Sequence, residues 1–208
     1  MIPSRINNIV FDLGGVVIDI DPDASFSALQ ALADESVTVL DHFSEHSELF
    51  LDYEKGLIDD RVFRNGIRRL TQQSHLSDSA IDEAWCRMLL RVPLIRLQLL
   101  DQLKESYRIF VLSNTNAIHV RAFNRIIQSV SGKPAIDHFF EGVYYSHELQ
   151  MRKPETEIYQ YVLDDNNLRP EATLFLDDRS ENLFAAEAVG IVTQLVTPVH
   201  GITEIFAA

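Results

Sequence analysis

The stretch Ile9-Val10-Phe11-Asp12-Leu13-Gly14-Gly15-Val16-Val17-Ile18-Asp19 decides how the rest of the chain is read. An apolar, β-prone run ends in a carboxylate, and a glycine pair follows at once. A short apolar run before glycines predicts a buried strand that stops at a turn. Asp12 then stands at the carboxyl end of that strand, where open α/β sheets place their ligands. A carboxylate buried there needs a cation, a donor or solvent. The plainer alternative is a turn-forming Asp before Gly-Gly.

Downstream, strands and helices alternate. Ile109 to Leu112 reads as a strand ending at Ser113, residues 115–130 as a helix, and Val143 to Tyr145 as a strand. Pro154 opens a helix to about Asp164, Leu174 to Leu176 is a strand ending at Asp177-Asp178, residues 180–189 are a helix stopped by Gly190, and Val192 to Val196 is a last strand. This alternation predicts a parallel sheet with right-handed crossovers. Only the segment from about Asp19 to Leu90 or Arg91 breaks it. There Asp21-Pro22 signals a helix start, with Asp19 and Asp21 as caps. Phe26, Leu29 and Leu32 follow at helical spacing, as do Val62, Phe63, Ile67 and Leu70 behind Asp59 or Asp60. Ser77 or Ser79 caps a helix through Ile81, Trp85, Met88 and Leu89, and Pro93 opens another through Leu94, Leu97, Leu100 and Leu103. A helical insertion after the Asp12 strand belongs over its carboxyl end, as a lid.

Composition narrows the function. The chain has 208 residues, 46% of them hydrophobic, enough for one α/β domain with a small insertion. Its formal net charge is −13, with no basic stripe, which argues against a nucleic-acid backbone as partner. An anionic substrate needs only local positive charge, and a divalent cation supplies it. Cys86 is the single cysteine, so a cytoplasmic, reducing location is expected. No apolar run approaches a membrane span, and no membrane partner is expected.

Three further stretches carry chemistry. Ser113-Asn114-Thr115-Asn116 lies between a strand and a helix, where free N–H groups suit an anion, or where the residues simply cap the helix. Met151-Arg152-Lys153-Pro154 also precedes a helix. Asp177-Asp178-Arg179-Ser180-Glu181-Asn182 ends a strand in two adjacent carboxylates, which repel unless a cation is near and which suit Mg²⁺.

The order Asp, then Ser-Asn, then Lys-Pro, then Asp-Asp-x-x-x-Asn resembles the haloacid dehalogenase-like hydrolase superfamily over essentially the whole chain. The resemblance implies an α/β, Rossmann-like doubly wound parallel sheet formed by residues 1–18 and 92–208, with a small helical C1 cap formed by residues 19–91. The first stretch, Val-Leu-Ser-Asn-Thr-Asn, Met-Arg-Lys-Pro-Glu and Tyr53-Glu54-Lys55-Gly56 look most like bacterial α-D-glucose-1-phosphate phosphatases. It further implies that Asp12's strand lies between those ending at Ser113 and Asp177. By the same resemblance Asp12 is nucleophile and Mg²⁺ ligand, with the Gly14 carbonyl and Asp178 as further ligands and Asp177 as an outer or alternative one. Ser113 and Asn114 hold phosphate, Lys153 neutralises charge on Asp12 and the phosphoryl group, Asn182 orients the acidic pair, and Glu54 and Lys55 contact the leaving group. The expected function is Mg²⁺-dependent hydrolysis of a small phosphorylated metabolite, such as glucose 1-phosphate, through an aspartyl-phosphate.

One departure stands out. Phosphatases of this superfamily usually carry a second Asp two residues after the nucleophile as general acid and base, and here that position is Gly14. Such a loss costs roughly 10²–10⁴-fold in rate, unless the leaving group departs easily. It also raises two alternatives. One is a metal-free 2-haloacid dehalogenase, which the acidic pair disfavours. The other is a catalytically dead phosphate-binding regulatory protein, which would not need the nucleophile.

Overall fold

A computed structural model describes residues 2–36, 38 and 48–207. Residues 37 and 39–47 of the expected cap, and residues 1 and 208 of the expected core, lie outside the described residues.

Among the described residues, five parallel strands form the central sheet: β1 (Asn8–Phe11), β4 (Arg108–Ser113), β5 (Gly142–Tyr145), β6 (Thr173–Asp177) and β7 (Val192–Leu195). Their order is β5-β4-β1-β6-β7, with β1 in the middle. Ile9, Val10 and Phe11 are all buried, as a strand covered on both faces requires. Side-chain alternation then divides the core. Ile9 and Phe11 join Ile109, Val111, Leu174 and Leu176 on one face. Val10 joins Phe110, Leu112 and Phe175 on the other. Helices α5 (Leu94–Leu103), α6 (Ala117–Ser131) and α10 (Ile202–Ala207) supply residues to the first face. Helices α8 (Thr156–Asp165) and α9 (Ser180–Ala188) cover the second.

Register fixes the functional rim. Phe11 pairs with Val111 of β4 and with Leu176 of β6. The next residues, Asp12 and Asp177, therefore leave the sheet side by side, with Ser113 at the end of β4. The chain turns sharply after Asp12, where Ile18 N donates to Leu13 O at 2.8 Å and Gly15 N to Ile18 O at 2.9 Å. Gly15 has φ +73°, and a Cβ there would lie 2.2 Å from Asp178 Oδ2. A side chain at this position is barred both by backbone conformation and by the approach of β6's rim.

Among the described residues, four α-helices stand between this turn and α5: α1 (Pro22–Leu32), α2 (Glu48–Glu54), α3 (Asp60–Leu70) and α4 (Asp78–Trp85). Asp59 caps α3 by accepting from Val62 N, and Ser77 caps α4 by accepting from Ala80 N, which decides between the alternatives open in the sequence. The helices share their own apolar cluster of Leu29, Tyr53, Phe63, Ile67, Ile81 and Trp85, closed by Ile118 of α6. Phe63 is its centre, stacked on Tyr53 with centroids 4.0 Å apart and in contact with Phe50 and Trp85.

The entry and exit of this helical unit differ from the sequence expectation. Asp19–Ile20 (β2) and Leu89–Arg91 (β3) pair as an antiparallel ribbon, so α4 ends before Leu89. Asp19 does not cap α1. It binds Arg91 Nε and Arg96 Nη1, each at 2.7 Å, while Asp21 is the cap, accepting from Asp23 N. The arginine donors hold the Asp19 carboxyl below its ordinary range although partial burial opposes them, so it is ill suited to deliver a proton. Helix α8 begins at Thr156 rather than at Pro154, and the short helices α7 (Ser146–Leu149) and α10 were not anticipated.

Truncating Phe63 to Ala should cost roughly 3–5 kcal/mol, because the aromatic cluster cannot collapse around the void. Urea unfolding checks this, and a loss below about 1 kcal/mol would contradict the packing described for these helices.

Candidate active site

Asp12, Asp177 and Lys153 meet beneath the rim. Lys153 Nζ lies 2.8 Å from Asp12 Oδ1 and 2.7 Å from Asp177 Oδ2. The lysine is 1% exposed and Asp177 wholly buried. Such an ammonium persists inside a protein only when its charge is met, and the two carboxylates hold its pKa above the ordinary value despite burial.

The surroundings fix each partner. Asp177 also accepts from Asn182 Nδ2 at 3.0 Å on both oxygens and from Arg179 N at 2.8 Å. Its acceptor capacity is thus taken up by protein donors. The Asn114 side chain bonds the backbone of residue 153 at both ends, donating to its carbonyl at 2.8 Å and accepting from its N–H at 2.9 Å. The loop that carries Lys153 is thereby tied to the end of β4.

Asp178 is the exposed member of the pair. Carboxylate oxygens of Asp12, Asp177 and Asp178 fall within 4.8 Å of one another. Burial chiefly, then the repulsion of Asp177 and Asp178, pushes the Asp12 carboxyl up to about 7 against the pull of Lys153. Asp178 is raised as well, by burial and then by Asp177. With all three carboxylates ionised, one ammonium leaves two negative charges to be met. A divalent cation with hard oxygen ligands matches that donor set.

Above the rim opens a cavity of about 500 Å³, lined by Asp12, Gly14, Asn114, Lys153, Asp178 and Asn182 from below. Ile20, Phe26, Phe50, Leu51, Trp85 and Met88 line it from above, and Glu54 and Arg152 close one side. Ser113 is buried at the end of β4, with no side-chain hydrogen bond among the described residues. Glu54 faces the cavity, its Oε1 accepting from Arg152 Nε at 2.7 Å. Lys55 does not line the cavity: its ammonium pairs with Glu155 at 2.5 Å.

Three residues assigned no role in the sequence, Arg152, Ser146 and His119, build this wall or tie the helices to the sheet, together with Asn116, for which the sequence left a cap and an anion contact open. Arg152 stood inside a quoted motif, next to Lys153. Ser146 follows β5 directly, and its hydroxyl donates to the Glu54 carbonyl at 2.7 Å while accepting from Thr115 N at 2.9 Å. Its place at a strand's carboxyl end was the available signal. Asn116 caps α6 by accepting from His119 N. His119 bridges to the helical unit, 3.0 Å from the Trp85 carbonyl and stacked on the Trp85 ring. With Nε2 donating to that carbonyl, Nδ1 receives Asn116 Nδ2 at 3.2 Å.

The sequence matches the model of a hydrolase family, haloacid dehalogenase-like hydrolase, over residues 6–190. A D-ribitol-5-phosphate phosphatase of Bacteroides thetaiotaomicron is 33% identical over 190 residues, covering 90% of each chain. A sesquiterpene phosphatase of Aspergillus oryzae is 27% identical over 187 residues, covering 88% of this chain and 86% of that one. Among solved structures, a HAD family enzyme of B. thetaiotaomicron superposes with a TM-score of 0.89 at 33% identity, covering 97% of this chain and 98% of that one. The same enzyme has been solved with magnesium and inorganic phosphate, as wild type and as an aspartate-to-alanine variant. The chain belongs to the haloacid dehalogenase-like hydrolase family, with its α/β core and helical insertion. A dehalogenase at 18% identity and a TM-score of 0.59 shares the fold.

Burial holds the His119 imidazole down at about 4, against an ordinary value of 6.5. Between those values the unfolded chain binds the proton and the folded one resists it, so stability falls as pH drops through this window. From pH 7.5 to pH 5 this group should cost about 2 kcal/mol. His119→Asn should remove that part of the pH dependence in urea unfolding. An identical pH slope in both proteins would contradict a neutral, buried imidazole.

Proposed function

We propose that the chain is a Mg²⁺-dependent phosphomonoesterase that transfers the phosphoryl group to Asp12 before water releases it. The observation that carries this reading is the Asp12–Lys153–Asp177 triad with Asp178 beside it, opening into a closed-over cavity. The magnesium and phosphate held by the similar B. thetaiotaomicron enzyme support it.

Asp12, Asp178 and the Gly14 carbonyl would hold the cation, which supplies positive charge against the substrate's anionic oxygens. Asp177, saturated by protein donors, serves instead to fix Lys153. Asp12 attacks phosphorus through a carboxylate oxygen, the P–O bond to the leaving group breaks, and an aspartyl-phosphate forms. Water then attacks phosphorus, freeing phosphate and regenerating the carboxylate. Lys153, already fixed against Asp12, offsets the repulsion between two anions and the charge that spreads in the transition state. By the family resemblance, Ser113, buried at the end of β4 and not itself part of the cavity lining, and the backbone at Asn114 would hold the transferred group, the Asn114 side chain being engaged with residue 153.

Helices α1–α4, within residues 19–91, act as the cap that covers the leaving group, and residues 1–18 with 92–208 form the catalytic core. The substrate is a small hydroxylated phosphate ester. A sugar phosphate such as glucose 1-phosphate fits the motifs, and a pentitol phosphate is what the 33% identical relative is named for. Cys86 has no disulfide partner, which suits the cytoplasm. No helix among the described residues is long and apolar enough to cross a membrane. The acidic trio speaks against a metal-free dehalogenase, since the excess negative charge would stand unmet.

Two experiments test this reading. Asp178→Asn should raise the Mg²⁺ concentration needed for half-maximal hydrolysis of p-nitrophenyl phosphate by at least about tenfold, since a charged ligand is lost. Full activity in excess chelator would contradict it. The second concerns Gly14, whose backbone lies outside the left-handed region and where a Cβ would meet only the tip of Ile20, at 2.9 Å. Gly14→Asp should fold and add a proton donor. Across leaving groups of graded pKa, the wild-type rate should fall steeply for primary-alcohol esters, and the variant should recover about tenfold or more on them. A flat wild-type series would show that another group already donates the proton.

A further inference from the structure

The wall of the cavity over Asp12 is divided by chemistry. Phe26, Phe50, Trp85 and Met88 present apolar surface from above. Facing the same space, Glu54 of α2 and Arg152 of the loop before Lys153 form a pair, Arg152 Nε donating to Glu54 Oε1 at 2.7 Å. Both side chains are about a quarter exposed, at 27% and 23%. Glu54 Oε2 and the two terminal nitrogens of Arg152 have no hydrogen-bond partner among the described residues. One acceptor and several donors are therefore held side by side.

The pair's charge is balanced. A second anion on the leaving group would be drawn by Arg152 and repelled by Glu54 from nearly the same distance, so the two Coulomb energies largely cancel. A hydroxyl suits both, giving its proton to Glu54 Oε2 and accepting from an Arg152 nitrogen. The planar guanidinium fork favours two neighbouring hydroxyls over one. The C–H faces of the same carbon chain are apolar and match the aromatic side of the wall.

We propose that Glu54 and Arg152 together form a hydroxyl-reading subsite that selects a neutral, hydroxylated leaving group over a carboxylated, doubly phosphorylated or bare hydrocarbon one. The inference rests on the phosphatase reading and adds Arg152 as a specificity-determining residue. The subsite spans the junction of cap and core, so it is complete only with α2 seated over the sheet. Ser146 holds α2 there through the Glu54 carbonyl.

The experiment compares kcat/KM with Mg²⁺ for D-ribitol 5-phosphate, n-pentyl phosphate and phosphoglycolate, in wild type, Glu54→Gln and Arg152→Met. The first two substrates share chain length and differ in hydroxyls, so their ratio reads the subsite. The wild type should favour the pentitol ester by about 100-fold, and each variant should cut that ratio by about tenfold or more, chiefly through KM. Glu54→Gln keeps the shape of the side chain and carries the test if Arg152→Met fails to fold. An unchanged ratio in a folded variant, or a wild-type preference for phosphoglycolate, would overturn the subsite. Absence of any p-nitrophenyl phosphate hydrolysis by the wild type would instead overturn the phosphatase reading, and the subsite with it.

Discussion

A single buried ammonium holds the site together. Lys153 lies in the sheet's rim between Asp12 and Asp177, almost without solvent. Removing one partner of such a group leaves an uncompensated charge, which is far more costly than losing an ordinary hydrogen bond. The surrounding structure serves to keep the three groups in place. The parallel register of β1 and β6 sets the two carboxylates side by side. Asn114 ties the lysine's own backbone to β4, and Asn182 with the Arg179 amide completes Asp177. Asp178, one residue on, is left outside this network and pointed toward the cavity, with room for it secured by the absence of a side chain at Gly15.

Among the described residues the helical insertion is joined to this rim by polar contacts and by apolar ones, Ile118 of α6 in its own cluster and Ile20 and Leu89 against the core of the sheet. Ile118 of α6 completes the aromatic cluster of the insertion, while His119, its neighbour, reaches the Trp85 carbonyl. Arg121, two residues further, pairs with Asp60 of α3, which in turn accepts from the Tyr53 hydroxyl. The first turns of α6 thus meet the helical insertion, while Phe123 and Ile127 further along pack on the sheet. The cavity between the two units inherits both characters, ionic below and apolar above.

Much of the sheet was legible because its strands are buried on both faces and read as unbroken apolar runs, as in Ile9-Val10-Phe11. The carboxylates that end them were legible because they interrupt such runs. What escaped has a common cause. The ribbon of β2 and β3 consists of very short segments about 70 residues apart, and nothing local marks them as partners. Asp19 carried a cap signal beside Asp-Pro, yet two arginines brought in by β3 and α5 claimed it. Lys55 looked like a partner for substrate beside Glu54, but successive residues on a helix end point apart, and it turned to Glu155. Arg152 lay in plain sight beside Lys153. Its role depends on where α2 comes to rest, which no local pattern encodes.

The claim on which the account turns is that Asp12 itself receives the phosphoryl group. Rapid acid quench during turnover of a phosphate ester, followed by peptide mass spectrometry, tests it most directly. The account predicts an acid-stable, base-labile phosphate on the peptide carrying Asp12, absent from the Asp12→Asn variant. A phosphate on Ser113 instead, or steady turnover with no modified peptide at any quench time under conditions where the second step is slowed, would contradict it.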